Sequence, residues 1–233
     1  METSSFHEFI QIVALGDLNQ VKVHLRQTPA LATMALPSGV KERKTTETFI
    51  TEIRRSVYGG DTALHIAAAA FYKPITELLV SCGADYRAKN RRGAEPLHYA
   101  ADGRGSRSQS QAEVIKYLVS IGADPDAIDK SGVAPIHRAV RTRSYAAVLA
   151  LLDAGANPRL QNKAGSTPLH LAVQTTGASG SGTDDAHQQQ ELIINLLLDR
   201  GAKLTDEDFS GKAVRQAATG NGIQSILASR ADR

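Results

Sequence analysis

Histidine is the residue type whose spacing in this sequence could support chemistry. Imidazole binds metal ions and transfers protons near neutral pH, so a regular set of histidines suggests a metal site or a catalytic base. Four related octapeptides each carry one, and successive histidines are 33, 39 and 33 residues apart. In order they are DTALHIAA with His65, AEPLHYAA with His98, VAPIHRAV with His137 and STPLHLAV with His170. Because the motif recurs, we expect one role for all four.

A shared metal ion does not fit this spacing. Zinc holds histidine nitrogens at about 2 Å, so its ligands lie within about 4 Å of one another. Histidines in stacked helical units would instead be separated by the helix packing distance of about 8 to 10 Å. The Gly-rich segments lack the spacing of a phosphate-binding loop, and no nucleophile is paired with a base. We therefore expect hydrogen bonds near helix starts, and we predict no metal, no cofactor and no catalytic residue.

The segments around each histidine predict a pair of helices. Thr167 is a suitable N-cap and Pro168 suits the first helical position, so TPLHLAV begins a helix. A second stretch follows with apolar residues at helical spacing and stops at glycine, as in AEVIKYLVSIG and YAAVLALLDAG. About ten polar, turn-rich residues then precede the next motif and predict a hairpin-like finger.

The order of these parts resembles the ankyrin repeat family. The shared pattern is Gly-x-Thr-Pro-Leu-His-x-Ala-Ala, then an outer helix and Gly-Ala-Asp, and it runs from about Phe6 to Ile226. The resemblance implies an all-α solenoid of stacked helix-turn-helix units with finger turns, about four full repeats and two capping units. Glu95 and Ala134 replace the capping threonine, and we expect the repeat at Ala134 to be the least well capped.

The predicted organisation is a single ankyrin-repeat domain over 1–233. Its parts are N-terminal capping helices at 5–31, an inserted finger at 32–59, repeats at 60–92, 93–131, 132–164 and 165–210, and a C-terminal cap at 211–230. Two Gly/Ser-rich insertions, at 102–111 and 174–190, are expected to be flexible. The middle of the first insertion, KERKTTETFITEIRR, is compatible with a short helix or a hairpin.

Composition favours an intracellular protein. The single cysteine, Cys82, cannot form an internal disulfide, and the N-terminus lacks the basic and apolar run of a signal peptide. No apolar run approaches the roughly 20 residues that a membrane span needs. We therefore expect a cytoplasmic chain without a membrane segment, in which Cys82 packs rather than reacts. The net charge of +3 is too small to indicate nucleic-acid binding by itself.

Binding residues are expected on the first helix of each pair and at the finger tips, because the ankyrin resemblance implies that these line a concave groove. Helical geometry places the residue after each histidine beside those three and four positions later. The candidates are Tyr99, Arg138 and Arg141 on the helices and Arg91, Arg92, Lys130 and Lys163 on the fingers. Arginine and tyrosine are enriched at interface hot spots, and the groove centre is predicted to be basic.

The predicted function is a non-catalytic protein-protein interaction scaffold or adaptor whose groove binds a partner with an acidic surface. Two alternatives stay open: nucleic-acid binding through basic fingers that include KERK and YRAKNRR, and a regulatory or inhibitory subunit of an enzyme. Nucleic acid is disfavoured because aromatic residues are 5% of the chain and tryptophan is absent. For the scaffold, Arg138→Glu with Arg141→Glu is expected to weaken partner capture and leave the thermal melt nearly unchanged.

Overall fold

Paired α-helices follow one another in the computed structural model, which describes residues 2–37, 49–103, 108–174, 184–218 and 221–231. The N-terminal pair is α1 (Glu2–Leu15) and α2 (Leu18–Gln27), followed by a 3-10 turn at Pro29–Ala32. The later pairs are α3 (Ala63–Ala70) with α4 (Lys73–Ser81), α5 (Pro96–Ala101) with α6 (Ser108–Ser120), α7 (Pro135–Arg141) with α8 (Tyr145–Asp153), α9 (Pro168–Ala172) with α10 (Asp184–Asp199), and α11 (Val214–Ala217) with α12 (Asn221–Ala231).

The first helix of each later pair, called the inner helix, stacks on the inner helix of the next pair. α3 packs on α5, α5 on α7 and α7 on α9, while the outer helices α4, α6, α8 and α10 stack in the same order. The inner helices approach closely because buried alanines such as Ala67, Ala100 and Ala139 face their neighbours. Each unit contacts mainly the units beside it, which is the arrangement of a solenoid.

Capping residues explain where the helices begin and end. Thr62 and Thr167 have extended backbones, and each hydroxyl oxygen accepts from the backbone N–H of the motif histidine at 3.4 Å. The N-cap positions of α5 and α7 hold Glu95 and Ala134, which have no hydroxyl, although proline still occupies the first helical position. After the outer helix α8, Gly155 takes the left-handed conformation, with φ of +91°.

Each motif histidine joins its own repeat to the finger that follows. Nδ1 accepts a hydrogen bond from the backbone N–H of the N-cap residue at 3.1 to 3.2 Å. Nε2 therefore carries the proton and donates to a main-chain carbonyl of that finger. The acceptors are Ala94 for His65, Val133 for His98, Leu160 for His137 and Lys212 for His170, at 3.0 to 3.1 Å. The hydrogen bond expected near each helix start is confirmed. The second hydrogen bond, from Nε2 to the following finger, was not predicted.

The fingers are held together by backbone hydrogen bonds between their tips. The pairs are Arg91 N–H to Gly59, Lys130 to Arg92, Lys163 to Ser131 and Phe209 to Ala164, at 2.8 to 3.4 Å. Within a tip, the side-chain oxygen of Asn90, Asp129 or Asn162 accepts from backbone N–H groups two and four residues later. These bonds close each turn and place successive tips in a common register.

Residues 49–56 of the first insertion form a hairpin. Strand β1 (Phe49–Ile50) pairs antiparallel with β2 (Arg55–Ser56). Ile50 is buried in one apolar cluster with Ile66 of α3, a residue that helical geometry places on the groove side. The hairpin therefore covers the beginning of the inner-helix surface. Residues 38–48, which include KERK, lie outside the described part of the chain.

Residues 108–111 and 184–190 of the two later insertions are helical, whereas these insertions were expected to be flexible. They lengthen α6 and α10 to 13 and 16 residues, against nine in α4 and α8. In the added turns, Gln111 donates to the carbonyl of Ala100 at 2.9 Å, and Gln190 donates to that of Ala172 at 2.7 Å. The insertions thus satisfy carbonyls at the ends of α5 and α9. Residues 104–107 and 175–183 lie outside the described ranges.

Candidate partner-binding surface

Asp102 collects three arginines on the inner-helix side of the stack. It follows α5, its carboxylate accepts from Arg55 Nη1 at 3.2 Å, and its main-chain carbonyl accepts from Arg55 Nη2. Arg141 Nη2 and Arg138 Nη1 lie 3.3 Å and 3.6 Å from Oδ2 of the same carboxylate. Arg55 belongs to the inserted hairpin and the other two arginines to α7. One carboxylate therefore connects three separate segments.

Arg138 is a paired residue and not the exposed anchor that the sequence predicts. Its side chain is 11% exposed, and Nη2 donates to Asp129 Oδ2 at 2.8 Å. Burial acts to raise the pKa of Asp129, but hydrogen bonds from Arg138 and from the backbone N–H groups of Val133 and Ser131 outweigh it and lower that pKa. Arg138→Glu would place three carboxylates together. An unchanged melt is therefore no longer expected for that variant.

Tyr99 lies in the interior instead of on the open groove surface. It is 1% exposed, and its hydroxyl donates to Asp61 Oδ2 at 2.9 Å. Asn90 Nδ2 donates to both members of this pair, at 3.0 Å and 2.8 Å. The ring packs edge-on against His65 with centroids 5.0 Å apart, and the Arg55 guanidinium carbon lies 4.8 Å from the ring centroid. Burial raises the pKa of the Tyr99 hydroxyl, and the charge on Asp61 adds to this effect.

Three of the finger-tip candidates, Arg92, Lys130 and Lys163, reach solvent, as Arg141 of α7 does. Lys130 and Lys163 are exposed, and neither ammonium group has an ion-pair partner among the described residues. Arg92 is also exposed, with its guanidinium carbon 4.2 Å from the centroid of the Tyr58 ring, and Arg91 lies 5.6 Å from the same centroid. Contact with an aromatic face orients these guanidinium groups. We call Arg91, Arg92, Lys130 and Lys163 the finger-tip strip.

Three of the four motif histidines have a pKa below the ordinary value of the side chain. Burial lowers the pKa of His65, His98 and His137, and that of His98 falls to about 4. Among the residues that the structure describes, no three His, Cys, Asp or Glu side chains are placed to hold a metal ion. Cys82, which was expected to pack, is exposed at the end of α4. In the same ranges, every helix is too short or too polar to cross a membrane.

The paired helices, the bridging histidines and the fingers agree with a match to a known family. The family model of ankyrin repeats, which represents three copies, matches residues 42–129 and 106–208, or more than half of the chain. The chain belongs to the ankyrin repeat family. Ankyrin repeats are generally protein-protein interaction modules and are typically non-catalytic. Among curated proteins, none matches this ankyrin-repeat chain.

Membership confirms the predicted ankyrin-repeat solenoid. Its described residues are predominantly helical, and the hairpin of β1 and β2 is an addition within the first finger. The limits of the individual repeats and the role of the finger-tip strip stay predictions. The structure adds that Arg138 and Arg141 are paired with carboxylates, whereas Lys130 and Lys163 have no ion-pair partner among the described residues.

Sequence reasoning missed Arg55 and the acidic partners of Arg138 and Arg141 on α7. Arg55 contacts Asp102 across 47 positions of sequence, and Arg141 contacts it across 39. The sequence shows Arg55 near the end of an insertion, which marks it as a residue that the repeat pattern does not require. Its contact depends on how the insertion folds back over the helices, and no local pattern specifies that.

Proposed function

We propose that this ankyrin-repeat chain is a non-catalytic binding module whose finger-tip strip engages an acidic surface of a partner protein. The supporting observation is a contrast among its cations. Arg55 and Arg138 are paired with carboxylates of this chain, whereas Lys130 and Lys163 are exposed without an ion-pair partner among the described residues. Of these four cations, only Lys130 and Lys163 have a charge that is available to a partner. Such charge steers association with acidic surfaces and selects against basic ones.

The inserted hairpin restricts which part of the groove a partner can reach. Arg55 covers Tyr99, and Ile50 packs in the core with α3, so the chain itself occupies the surface near α3 and α5. Farther along the stack, Arg141 is 57% exposed and Gln174, just after α9, is exposed. The proposed contact area is therefore the finger-tip strip together with the side of α7 and α9.

Charge reversal on the strip tests the proposal. Lys130→Glu with Lys163→Glu should reduce capture of the partner by at least about tenfold, because each change replaces attraction with repulsion. The matched control is Lys22→Glu with Lys116→Glu, which changes the net charge equally at exposed positions of α2 and α6. Quantitative mass spectrometry of the proteins retained by each immobilised variant gives the comparison.

Thermal melting controls for folding. Both double variants should melt within about 2 °C of the native protein, because substitutions at exposed, unpaired positions change stability little. Equal retention of the same proteins by the native chain and by the strip variant would refute the proposed site. Equal losses in the strip variant and the control would show that net charge controls binding, and would also refute it.

A further inference from the structure

Each finger has an equivalent position two residues before its glycine. Arg91, Lys130, Lys163 and Phe209 stand two residues before Gly93, Gly132, Gly165 and Gly211. Each of the four donates its backbone N–H to the preceding tip, so all four have the same register. We call Arg91, Lys130, Lys163 and Phe209 the tip row. In chain order it holds a half-buried arginine, two exposed lysines and an exposed phenylalanine.

Contacts with glycine direct three of the four side chains of the tip row. A methyl carbon added to the preceding glycine would meet Lys130 Cγ at Gly93 (3.1 Å), Lys163 Cγ at Gly132 (3.0 Å) and Phe209 Cγ at Gly165 (2.8 Å). The stem of each side chain therefore lies over the glycine of the tip before it, and the end of the side chain projects outward. Phe209 is 72% exposed, which is unusual for a phenylalanine held by a backbone hydrogen bond.

The spacing of the tip row matches one extended conformation. Successive tips follow the stacking of the helices, so they are separated by about 8 to 10 Å. A polyproline II helix rises about 3.1 Å per residue with three residues per turn, so every third side chain lies on one side at about 9.3 Å intervals. In a β-strand, side chains three apart point to opposite faces. A polyproline II ligand therefore presents its side chains to every tip, and a strand does not.

We infer that the tip row binds a polyproline II segment of a partner protein with an acidic residue at every third position and an apolar residue three positions after the third acid. The carboxylates face Arg91, Lys130 and Lys163, and the apolar side chain covers Phe209. This inference rests on the proposed function, and it adds the conformation and the sequence spacing of the ligand. Extended proline-rich ligands suit such a site because they lose little conformational entropy on binding.

Charge spacing disfavours nucleic acid as the occupant. Each strand of duplex DNA carries one phosphate about every 3.4 Å along the axis, whereas the tip row holds one cation about every 8 to 10 Å. A half-buried carboxylate also stands beside the row, since Asp208 precedes Phe209. A dense phosphate chain would meet this carboxylate, while a peptide with widely spaced acids places proline between them.

Labelled peptides of equal composition test the inference by fluorescence anisotropy. The matched peptide has three Glu-Pro-Pro units followed by leucine. A respaced peptide places the glutamates next to one another, and an end-swapped peptide moves the leucine to the first position. The native protein should bind the matched peptide roughly tenfold more tightly than the respaced one. The Phe209→Ser variant should bind the matched peptide roughly threefold more weakly than the native protein. It should also bind the matched and end-swapped peptides equally well.

Reversing charges on both the protein and the peptide distinguishes direct contact between them from general electrostatic attraction. Lys130→Glu with Lys163→Glu should bind the matched peptide at least about tenfold more weakly. The same variant should bind a peptide in which the second and third glutamates are lysines, which the native protein should not bind. The control variant Lys22→Glu with Lys116→Glu should keep the native preference.

Several outcomes would overturn the inference. They are no binding of the matched peptide at low salt, equal affinity for the matched and respaced peptides, or tighter binding of a single-stranded oligonucleotide with the same number of charges. None of these alone refutes the proposed function, which is judged by retention of partner proteins on the strip variant. The strip variant could lose retention of partner proteins while the native protein binds the matched and respaced peptides equally. That result would support the proposed binding site and reject the polyproline II ligand.

Discussion

The imidazole of each motif histidine accepts one hydrogen bond at Nδ1 and donates another at Nε2. A neutral ring can do both, but a protonated ring is a donor at both nitrogens. Protonation of His98 would therefore place two donors against each other, since Nδ1 faces the backbone N–H of Glu95 at 3.1 Å. The regular spacing of these residues consequently reflects a structural role that requires the neutral form.

Stability is expected to fall as the pH decreases from about 6.5 toward 4. The pKa of His98 is about 4 in the folded chain, and it is near 6.5 when the ring is in water, so the unfolded state binds more protons in this window. Neutral His98 contributes roughly 3 kcal/mol to the free energy of unfolding. This contribution is fully present above pH 6.5 and is lost as the pH falls toward 4. Urea unfolding at pH 7, 6 and 5 measures it. The stability of the His98→Gln variant should depend less on pH. An equal dependence of stability on pH in both proteins would contradict the assignment of this effect to His98.

The N-cap of α7 can be improved by one substitution. Ala134 has an extended backbone like Thr167, but it offers no oxygen to the backbone N–H of His137. Ala134→Thr is expected to raise the free energy of unfolding by about 1 kcal/mol, because it restores that acceptor. The reverse change, Thr167→Ala, should lower it by a similar amount. Chemical denaturation measures both, and a lower stability of Ala134→Thr would disprove the capping explanation.

Three elements meet at Asp102: the end of α5, the helix α7 and the hairpin of β1 and β2. The hairpin has only two residues in each strand, so its pairing alone cannot hold it in place. Arg55 attaches it to Asp102, and Ile50 anchors it in the apolar core. The position of the hairpin over the inner helices therefore depends on long-range contacts, among them this ion pair and this buried side chain.

Asp102→Asn is expected to loosen the hairpin. The change removes the charge that Arg55, Arg138 and Arg141 share, and it should lower the free energy of unfolding by about 1 to 3 kcal/mol. Amide hydrogen exchange at 49–56 should accelerate. Asp153→Asn is the control: its pair with Arg200 is well exposed, so its loss should change stability by less than about 1 kcal/mol. Unaltered exchange at 49–56 in the Asp102 variant would exclude this role.

Across the whole molecule, the described buried apolar residues form two clusters that follow the order of the chain. One extends from Phe6 to Ala84 and the other from Ala68 to Leu227. In a linear stack, each unit contributes its own stability and its contacts with neighbours. Distant units should therefore respond independently to substitution, whereas residues that bridge adjacent repeats should not.

Double-mutant cycles test this independence. Ile10→Val and Ile194→Val remove one buried methyl group from each cluster and should each cost about 0.5 to 1.5 kcal/mol. Their combined cost should equal the sum within about 0.5 kcal/mol. His65→Gln with Tyr99→Phe should deviate from the sum, because the two rings pack 5.0 Å apart across adjacent repeats. A large deviation in the distant pair would contradict the linear description.

The sequence by itself determined the repeat period, the helix pairs, the fingers and the local bond of each histidine, because these depend on residues a few positions apart. Only the tertiary structure decided which side chains are available to a partner. Tyr99 meets Asp61 across 38 positions and Arg55 meets Asp102 across 47, so neither contact follows from local pattern. Burial and long-range pairing removed Tyr99 and Arg138 from the open surface, and they left Lys130 and Lys163 exposed, without an ion-pair partner in the part of the chain that the structure describes.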